Sequence, residues 1–321
     1  MGWRVDTTVK LGISCARRSQ DKTTRRKDTR VISIERITDL REVAQHLNGT
    51  PKLLTRLSQK DLFNHASRLL SGVFDFDGTL TPGSQWRAVG NLLSDELRVM
   101  DMDHYRWYHS REKATRMDLS HPDWWIGQLQ EGNRLAVDGA WAASMAYMLR
   151  SMNVTRSQVE NAGAQLPPRE GALDLLKIIH RRVVISFGIE QVILGWLLFN
   201  RVPTPVAATR LLFDQDDRVK GCHLNVVGSL SKEFAVSRFR TLSGVREMEM
   251  LVVGDSVVDA SMMLPQSFNV LLMPPGEADK TLAAFRENNL EDMWDRLSLI
   301  LVSDSLAPLT ELIRTARDPN P

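Results

Sequence analysis

Short apolar runs separated by helical stretches set the character of the second half of the chain. Residues 248–253, 269–273 and 297–302 each read as a buried strand. Val183-Val-Ile185 lies in another, over 182–187. Between them, residues 169–180, 189–200, 231–242, 257–264, 280–288 and 307–316 carry apolar positions at helical spacing. A short strand is expected near Val206. Residues 211–213 and 219–223 flank Asp214-Gln-Asp-Asp217, which reads as a hairpin turn. In the first half, Ile34, Ile37, Leu40, Val43, Ala44 and Leu47 fit a helix over 31–47, stopped by Asn48-Gly49. Ser58 opens a second helix, with Asp61 placed as a capping-box acid, ending near Leu70. A strand follows over 72–76. From Pro82 to Ala164 no clear strand is legible. Periodicity is plain over 140–152, and Pro167-Pro168 marks the exit. Strands that alternate with helices predict an α/β fold, a mostly parallel sheet covered on both faces, with a helical insertion. The expected divisions are a basic disordered tail (1–30), helices and the first core strand (31–84), a helical cap (85–165) and the rest of the core (166–321).

Composition narrows the class. The chain has 321 residues, 43% hydrophobic and 25% charged, as a soluble globular protein does. A net charge of +2 gives no argument for a nucleic-acid partner. Two cysteines, Cys15 and Cys222, make no disulfide framework and suggest a reducing compartment. Residues 183–199 come closest to a membrane span but are interrupted by Glu190 and Gln191. The first thirty residues lack the apolar core of a signal peptide. The expectation is a cytoplasmic protein with no membrane partner, a monomer or homodimer.

The chemistry concentrates at strand ends, where sheets of this kind bind ligands. Residues 73–81 read Val-Phe-Asp-Phe-Asp-Gly-Thr-Leu-Thr. Residues i and i+2 of a strand share a side, so Asp75 and Asp77 can meet at one strand end. One carboxylate can attack while the other handles a proton. Gly78 supplies the free backbone of a sharp turn, and the turn's N–H groups, Thr79 included, can hold an oxyanion. The second strand delivers Ser186, Phe187 and Gly188 to the start of a helix, an anion site or simply a capped helix. Lys232 opens a helix, either as a charge partner or as a solvated lysine. Gly254-Asp255-Ser-Val-Val-Asp259 places two carboxylates four residues apart, which with Asp75 would form an oxygen-rich pocket suited to Mg²⁺. Acids at a helix start are also favoured with no ion present.

The order Asp-x-Asp, Ser, Lys, Gly-Asp-Ser-x-x-Asp, each at a strand end or helix start, resembles the haloacid dehalogenase (HAD) superfamily of phosphohydrolases over about residues 71–314. Ile185-Ser-Phe-Gly-Ile-Glu-Gln-Val-Ile193, Asp217-Arg-Val-Lys-Gly221 ahead of Ser231-Lys232, and Trp294-Asp-Arg-Leu-Ser-Leu-Ile-Leu-Val302 with Asp304-Ser-Leu306 are similar to the cytosolic pyrimidine 5′-nucleotidase family. The resemblance implies a Rossmann-like core with an inserted cap. It implies Asp75 as a nucleophile forming an aspartyl-phosphate, and Asp77 as the acid that protonates the leaving oxygen and then activates water. Gly78, Thr79, Ser186, Phe187, Gly188 and Lys232 would surround the phosphoryl group. Asp75, Asp77 through its carbonyl, Asp255 and Asp259 would hold Mg²⁺. The substrate would be a small phosphorylated metabolite, a (pyrimidine) nucleoside 5′-monophosphate by this resemblance. Cap residues Tyr108, Glu112, Asp123, Trp124 and Trp125 are the candidates to read it. Two alternatives stand beside this: another phosphomonoester, phosphoserine-like or a sugar phosphate, or a non-catalytic binding protein of the same fold.

Overall fold

A computed structural model of the chain describes residues 11–14, 29–38, 42–43, 46, 51–98, 134–226, 228–287 and 291–318. In chain order the described strands are β1 (Leu11–Ser14), β2 (Thr29–Arg36), β3 (Lys52–Thr55), β4 (Ser71–Phe74), β5 (Arg181–Ile189), β6 (Val206–Phe213), β7 (Val219–His223), β8 (Met250–Gly254), β9 (Phe268–Met273) and β10 (Leu297–Val302). The described α-helices are α1 (Gln59–Ser67), α2 (Gln85–Gly90), α3 (Arg134–Ser151), α4 (Arg156–Ala164), α5 (Ala172–Ile178), α6 (Glu190–Phe199), α7 (Ser229–Ser243), α8 (Ala278–Glu287) and α9 (Ala307–Arg317). The chain forms two compact units, one of residues 1–72, 169–180 and 245–321, the other of 73–168 and 181–244.

The first unit is built on strands in the order β1-β2-β3-β10-β9-β8. β8 and β9, β9 and β10, and β2 and β3 run parallel. β3 is antiparallel to β10, and β1 to β2. β8, β9 and β10 are buried at every position, which is why they read as unbroken apolar runs instead of alternating ones. Ser58 caps α1 by accepting the Asp61 N–H at 3.2 Å, as the sequence predicts.

Two helix predictions fail in this unit. The helix predicted over 31–47 is in part the strand β2, paired to β3 from Ser33↔Lys52 to Arg36↔Thr55. A β-branched residue such as Ile34 suits a pleated surface, and a short apolar run fits either period. β3 itself was not anticipated, since its two apolar residues, Leu53 and Leu54, give no period. Within the tail expected to be disordered, Leu11–Ser14 pairs with β2 as a strand. The helix expected over 257–264 shrinks to a single 3₁₀ segment, Asp259–Met262. The Asp259 side chain folds back onto the preceding turn, and Pro265, three residues past Met262, closes off continuation.

The second unit orders its strands β4-β5-β6-β7. β5 and β6 are parallel, and β6 and β7 form the predicted hairpin, Arg210↔His223 to Phe213↔Val219. Helices α2, α3 and α4 are carried between β4 and β5 in the chain. Their core, including Val89, Met145, Leu149 and Val159, packs with Ile189, Val192 and Leu211. Two glycines let α4 and α6 touch through their backbones. A Cβ on Gly195 would lie 2.1 Å from the Glu160 carbonyl oxygen, and one on Gly163 would lie 1.9 Å from that of Val192. Phe76, fully buried, stands edge-on to Trp196 of α6 with ring centroids 5.4 Å apart. That buried ring contact fastens the segment between Asp75 and Asp77 to the core.

Helix propensity alone favours Gly195→Ala by about 1 kcal/mol. The close α4–α6 approach reverses that sign: Gly195→Ala is expected to destabilise the protein by ~1–3 kcal/mol, measured by urea unfolding. An unchanged or higher midpoint would contradict the backbone contact.

Candidate active site

The end of β4 carries the acidic segment. Gly78 has φ of 78°, the left-handed conformation expected of the turn glycine. Leu80 and Thr81 both return N–H bonds to the Phe76 carbonyl, at 2.9 and 3.2 Å, winding the segment tightly behind the two aspartates.

Asp75 is 5% exposed and Lys232 2%. Lys232 Nζ donates to Asp75 Oδ1 at 2.6 Å. Burying either charge alone would cost several kcal/mol, so each is there on account of the other. The Phe187 ring lies 4.6 Å from the same ammonium, covering it with an aromatic face. Thus Lys232 is not the solvated lysine of the default reading. The helix α7 that carries it begins at Ser229, two residues earlier than predicted.

Asp77 sits differently. Its Oδ1 accepts the Gln85 backbone N–H at 2.6 Å, and its Oδ2 accepts the Gln85 side-chain amide at 3.0 Å. Burial pushes its pKa up from 3.8 to about 6, against the lowering effect of the Gln85 bonds and of Lys232. The two aspartates therefore differ in kind, one salt-bridged and one poised to exchange a proton near neutrality.

After β5, Ser186 is 1% exposed, and its hydroxyl oxygen accepts the Gly188 N–H at 3.1 Å. The next N–H, of Ile189, donates to Gln85 Oε1 at 2.7 Å. The Gly188 donor, expected to help open an anion site at the start of α6, and the Ile189 donor beside it are thus turned inward onto side chains. Gln85 is the residue that sequence reasoning missed. A glutamine outside any motif carries no signal, and only the fold brings it to Asp77.

In the other unit, Asp259 Oδ2 accepts the Asp255 N–H at 3.1 Å, the Ser256 N–H at 3.0 Å and the Ser256 hydroxyl at 2.8 Å. A Cβ on Gly254 would fall 2.3 Å from that of Asp259, so this turn admits only glycine at its start. Arg169, 5% exposed and also unforeseen, donates to the Asp304 carbonyl at 2.9 Å. Burial lowers its pKa, which the charges of Asp255, Asp304 and Glu277 oppose. Tyr108, Glu112, Asp123, Trp124 and Trp125 lie outside the described residues.

No family model matches the sequence, and no curated protein matches it. Solved structures do. Cytosolic 5′-nucleotidase IIIB bound to cytidine superposes with a TM-score of 0.58 at 17% identity, over 87% of this chain and 99% of that one. A HAD family hydrolase from Salmonella enterica subsp. enterica serovar Typhi superposes with a TM-score of 0.54 at 11% identity, over 76% of this chain and 71% of that one. The chain has the HAD fold. The α/β architecture and mostly parallel sheet expected from the sequence are therefore those of HAD proteins. In this HAD-type chain no described helix is long and apolar enough to cross a membrane.

Removing the ammonium would take its countercharge from a buried carboxylate. With divalent cations chelated, Lys232→Met is expected to cost ~3–5 kcal/mol of stability, read from denaturant midpoints. A loss within experimental error would contradict a desolvated pair. Asp77 gives a second prediction for the metal-free protein. Its folded pKa lies above the unfolded value, so the folded state holds the proton more tightly. The resulting cost to stability is absent below pH ~4, grows as pH rises toward about 6, and is complete above it. The ¹³C resonance of the Asp77 carboxyl should titrate with a midpoint near 6; a midpoint near 4 would contradict the burial effect.

Proposed function

We propose that the chain is a Mg²⁺-dependent phosphomonoesterase working through an aspartyl-phosphate on Asp75. The observation that carries this reading is the buried Lys232–Asp75 pair at 2.6 Å, with a second carboxyl of raised pKa two residues on. A carboxylate repels a phosphate dianion unless positive charge is fixed beside it, and Lys232 is fixed there. The Ser186 oxygen is occupied as an acceptor by Gly188, which leaves its own hydrogen to donate to a phosphoryl oxygen. The Phe187 ring keeps the ammonium from wandering into solvent.

The reaction runs in two displacements. Asp75 attacks phosphorus, the bond to the leaving oxygen breaks, and Asp77 supplies a proton to that oxygen. Asp77, now a carboxylate, takes a proton from the water that attacks the aspartyl-phosphate, and phosphate departs. A carboxyl with pKa about 6 can serve in both directions near neutral pH.

Carboxylate oxygens are the donors Mg²⁺ takes, and Asp75, Asp255 and Asp259 offer only those. In this reading the three carboxylates, with the Asp77 carbonyl, hold the ion. When bound it would offset the charge of the entering phosphate. The three hydrogen bonds that Asp259 Oδ2 accepts fix the turn that presents Asp255, so Asp259 would act as much by shaping the loop as by ligation.

The substrate we infer is a nucleoside 5′-monophosphate, pyrimidine by preference. The likeness to the cytidine-bound 5′-nucleotidase supports this, as does the motif resemblance around 185–193 and 217–232. Cap residues Tyr108, Glu112, Asp123, Trp124 and Trp125 would read the base. The cap over 85–165, a cytoplasmic location and a monomeric or homodimeric state belong to the same proposal.

Asp75→Asn is expected to lower phosphate release by on the order of 10³-fold or more with every substrate while the melting temperature holds. EDTA should silence the wild type and Mg²⁺ restore it. Across a panel of phosphomonoesters, pyrimidine nucleoside 5′-monophosphates should be hydrolysed fastest. Equal rates with sugar phosphates or phosphoserine would remove the nucleotidase reading, and full activity of Asp75→Asn would remove the nucleophile.

A further inference from the structure

Gln85 makes one more connection than a helix-opening residue needs. It is fully buried at the first position of α2, and it bridges two segments far apart in the chain. Its Oε1 accepts the Ile189 N–H at 2.7 Å, and its Nε2 donates to Asp77 Oδ2 at 3.0 Å. The backbone bond selects the amide's orientation. A flipped amide would set NH₂ against the Ile189 N–H and carbonyl oxygen against the Asp77 carboxylate, losing both bonds at once. The Gln85 N–H adds a third connection, to Asp77 Oδ1 at 2.6 Å. The seat is close-fitting: a Cβ on Gly188 would lie 1.6 Å from Gln85 Nε2, so the amide fills the space that a side chain at 188 would take.

We propose that Gln85 is a positioning residue that ties Asp77 to the Ser186–Ile189 segment, so that the proton-donating carboxyl and the phosphoryl-binding hydroxyl keep one fixed spacing. This rests on the phosphomonoesterase reading above. Asp75 forms its bond to phosphorus as the P–O bond to the leaving group breaks, and that bond's electron pair goes to the leaving oxygen. An alkoxide is a poor leaving group and needs the Asp77 proton during bond breaking. A nitrophenolate leaves without one. Gln85 should therefore matter for alkyl esters and hardly at all for activated aryl esters, a pattern that a merely structural glutamine would not produce.

The experiment compares wild type, Gln85→Met and Gln85→Asn in the Mg²⁺-loaded full chain. Single-turnover release of alcohol or phenol is followed from cytidine 5′-monophosphate (glycerol phosphate if the wild type leaves the nucleotide untouched) and from p-nitrophenyl phosphate. General acid catalysis contributes 10²–10⁴-fold, and the Gln85 backbone bond to Asp77 survives in both variants. The alkyl-ester rate is therefore expected to fall ~10–100-fold, with the aryl-ester rate and both KM values within ~3-fold of wild type. If Gln85→Met loses its cooperative melting transition, Gln85→Asn is decisive. It keeps an amide but is one methylene too short to reach both partners. Equal losses on the two esters, or no loss on either, overturn the proposal while leaving the phosphomonoesterase reading intact. A wild type that hydrolyses neither ester ends that reading and this inference with it.

Discussion

An ammonium and a carboxylate meet at 2.6 Å where neither side chain is more than a few per cent exposed. Such a pair is poor value as a stabiliser, because desolvation consumes most of the attraction and an apolar pair of the same volume would do as well. Its merit is that it holds charge in a fixed place. The surroundings are built to keep it there: Phe187 against the ammonium, and Phe76, packed edge-on to Trp196, anchoring the strand end next to Asp75. A nucleophilic carboxylate needs this kind of preorganised company before a phosphate dianion can approach it.

Two carboxyl groups separated by a single residue acquire different characters from their neighbours. Asp75 has a lysine. Asp77 has burial and the amide and N–H of Gln85, and its proton affinity rises. The turn glycine that follows them, at φ 78°, carries the chain away in a conformation other residues rarely adopt. The different characters of the two carboxyls thus follow from local sequence plus two side chains brought in by the fold.

The core of the fold was legible because strands buried on both faces read as plain apolar runs. β5, β7, β9 and β10 fall where the pattern puts them, within a residue or two, whereas β6 joins into one strand what reads as a short strand near Val206 and a separate hairpin arm at 211–213. Residues whose partners are local, such as Ser58 with Asp61, were equally readable. The misreadings share a cause. β2 and β3 are stabilised by pairing with each other and with β10, contacts that no local period encodes, so β-branched residues at ambiguous spacing were taken for a helix. The segment after Asp255 was taken for a helix because the sequence shows an acid at helical spacing. In the fold that acid turns back to accept three bonds from the preceding turn. Motif residues stood out by type and order, whereas Gln85, bonded to Asp77, and Arg169, bonded to the Asp304 carbonyl, belong to no motif and are defined by their partners alone.

The central claim is chemical: Asp75 becomes phosphorylated. It is tested most directly by acid-quenching the Mg²⁺-loaded protein during turnover of a phosphomonoester, digesting it, and locating the bound phosphate by mass spectrometry. The account predicts a labile phosphate on the peptide containing Asp75, lost on brief exposure to hydroxylamine. Turnover with no phosphorylated peptide, or with the phosphate on any other residue, would contradict it.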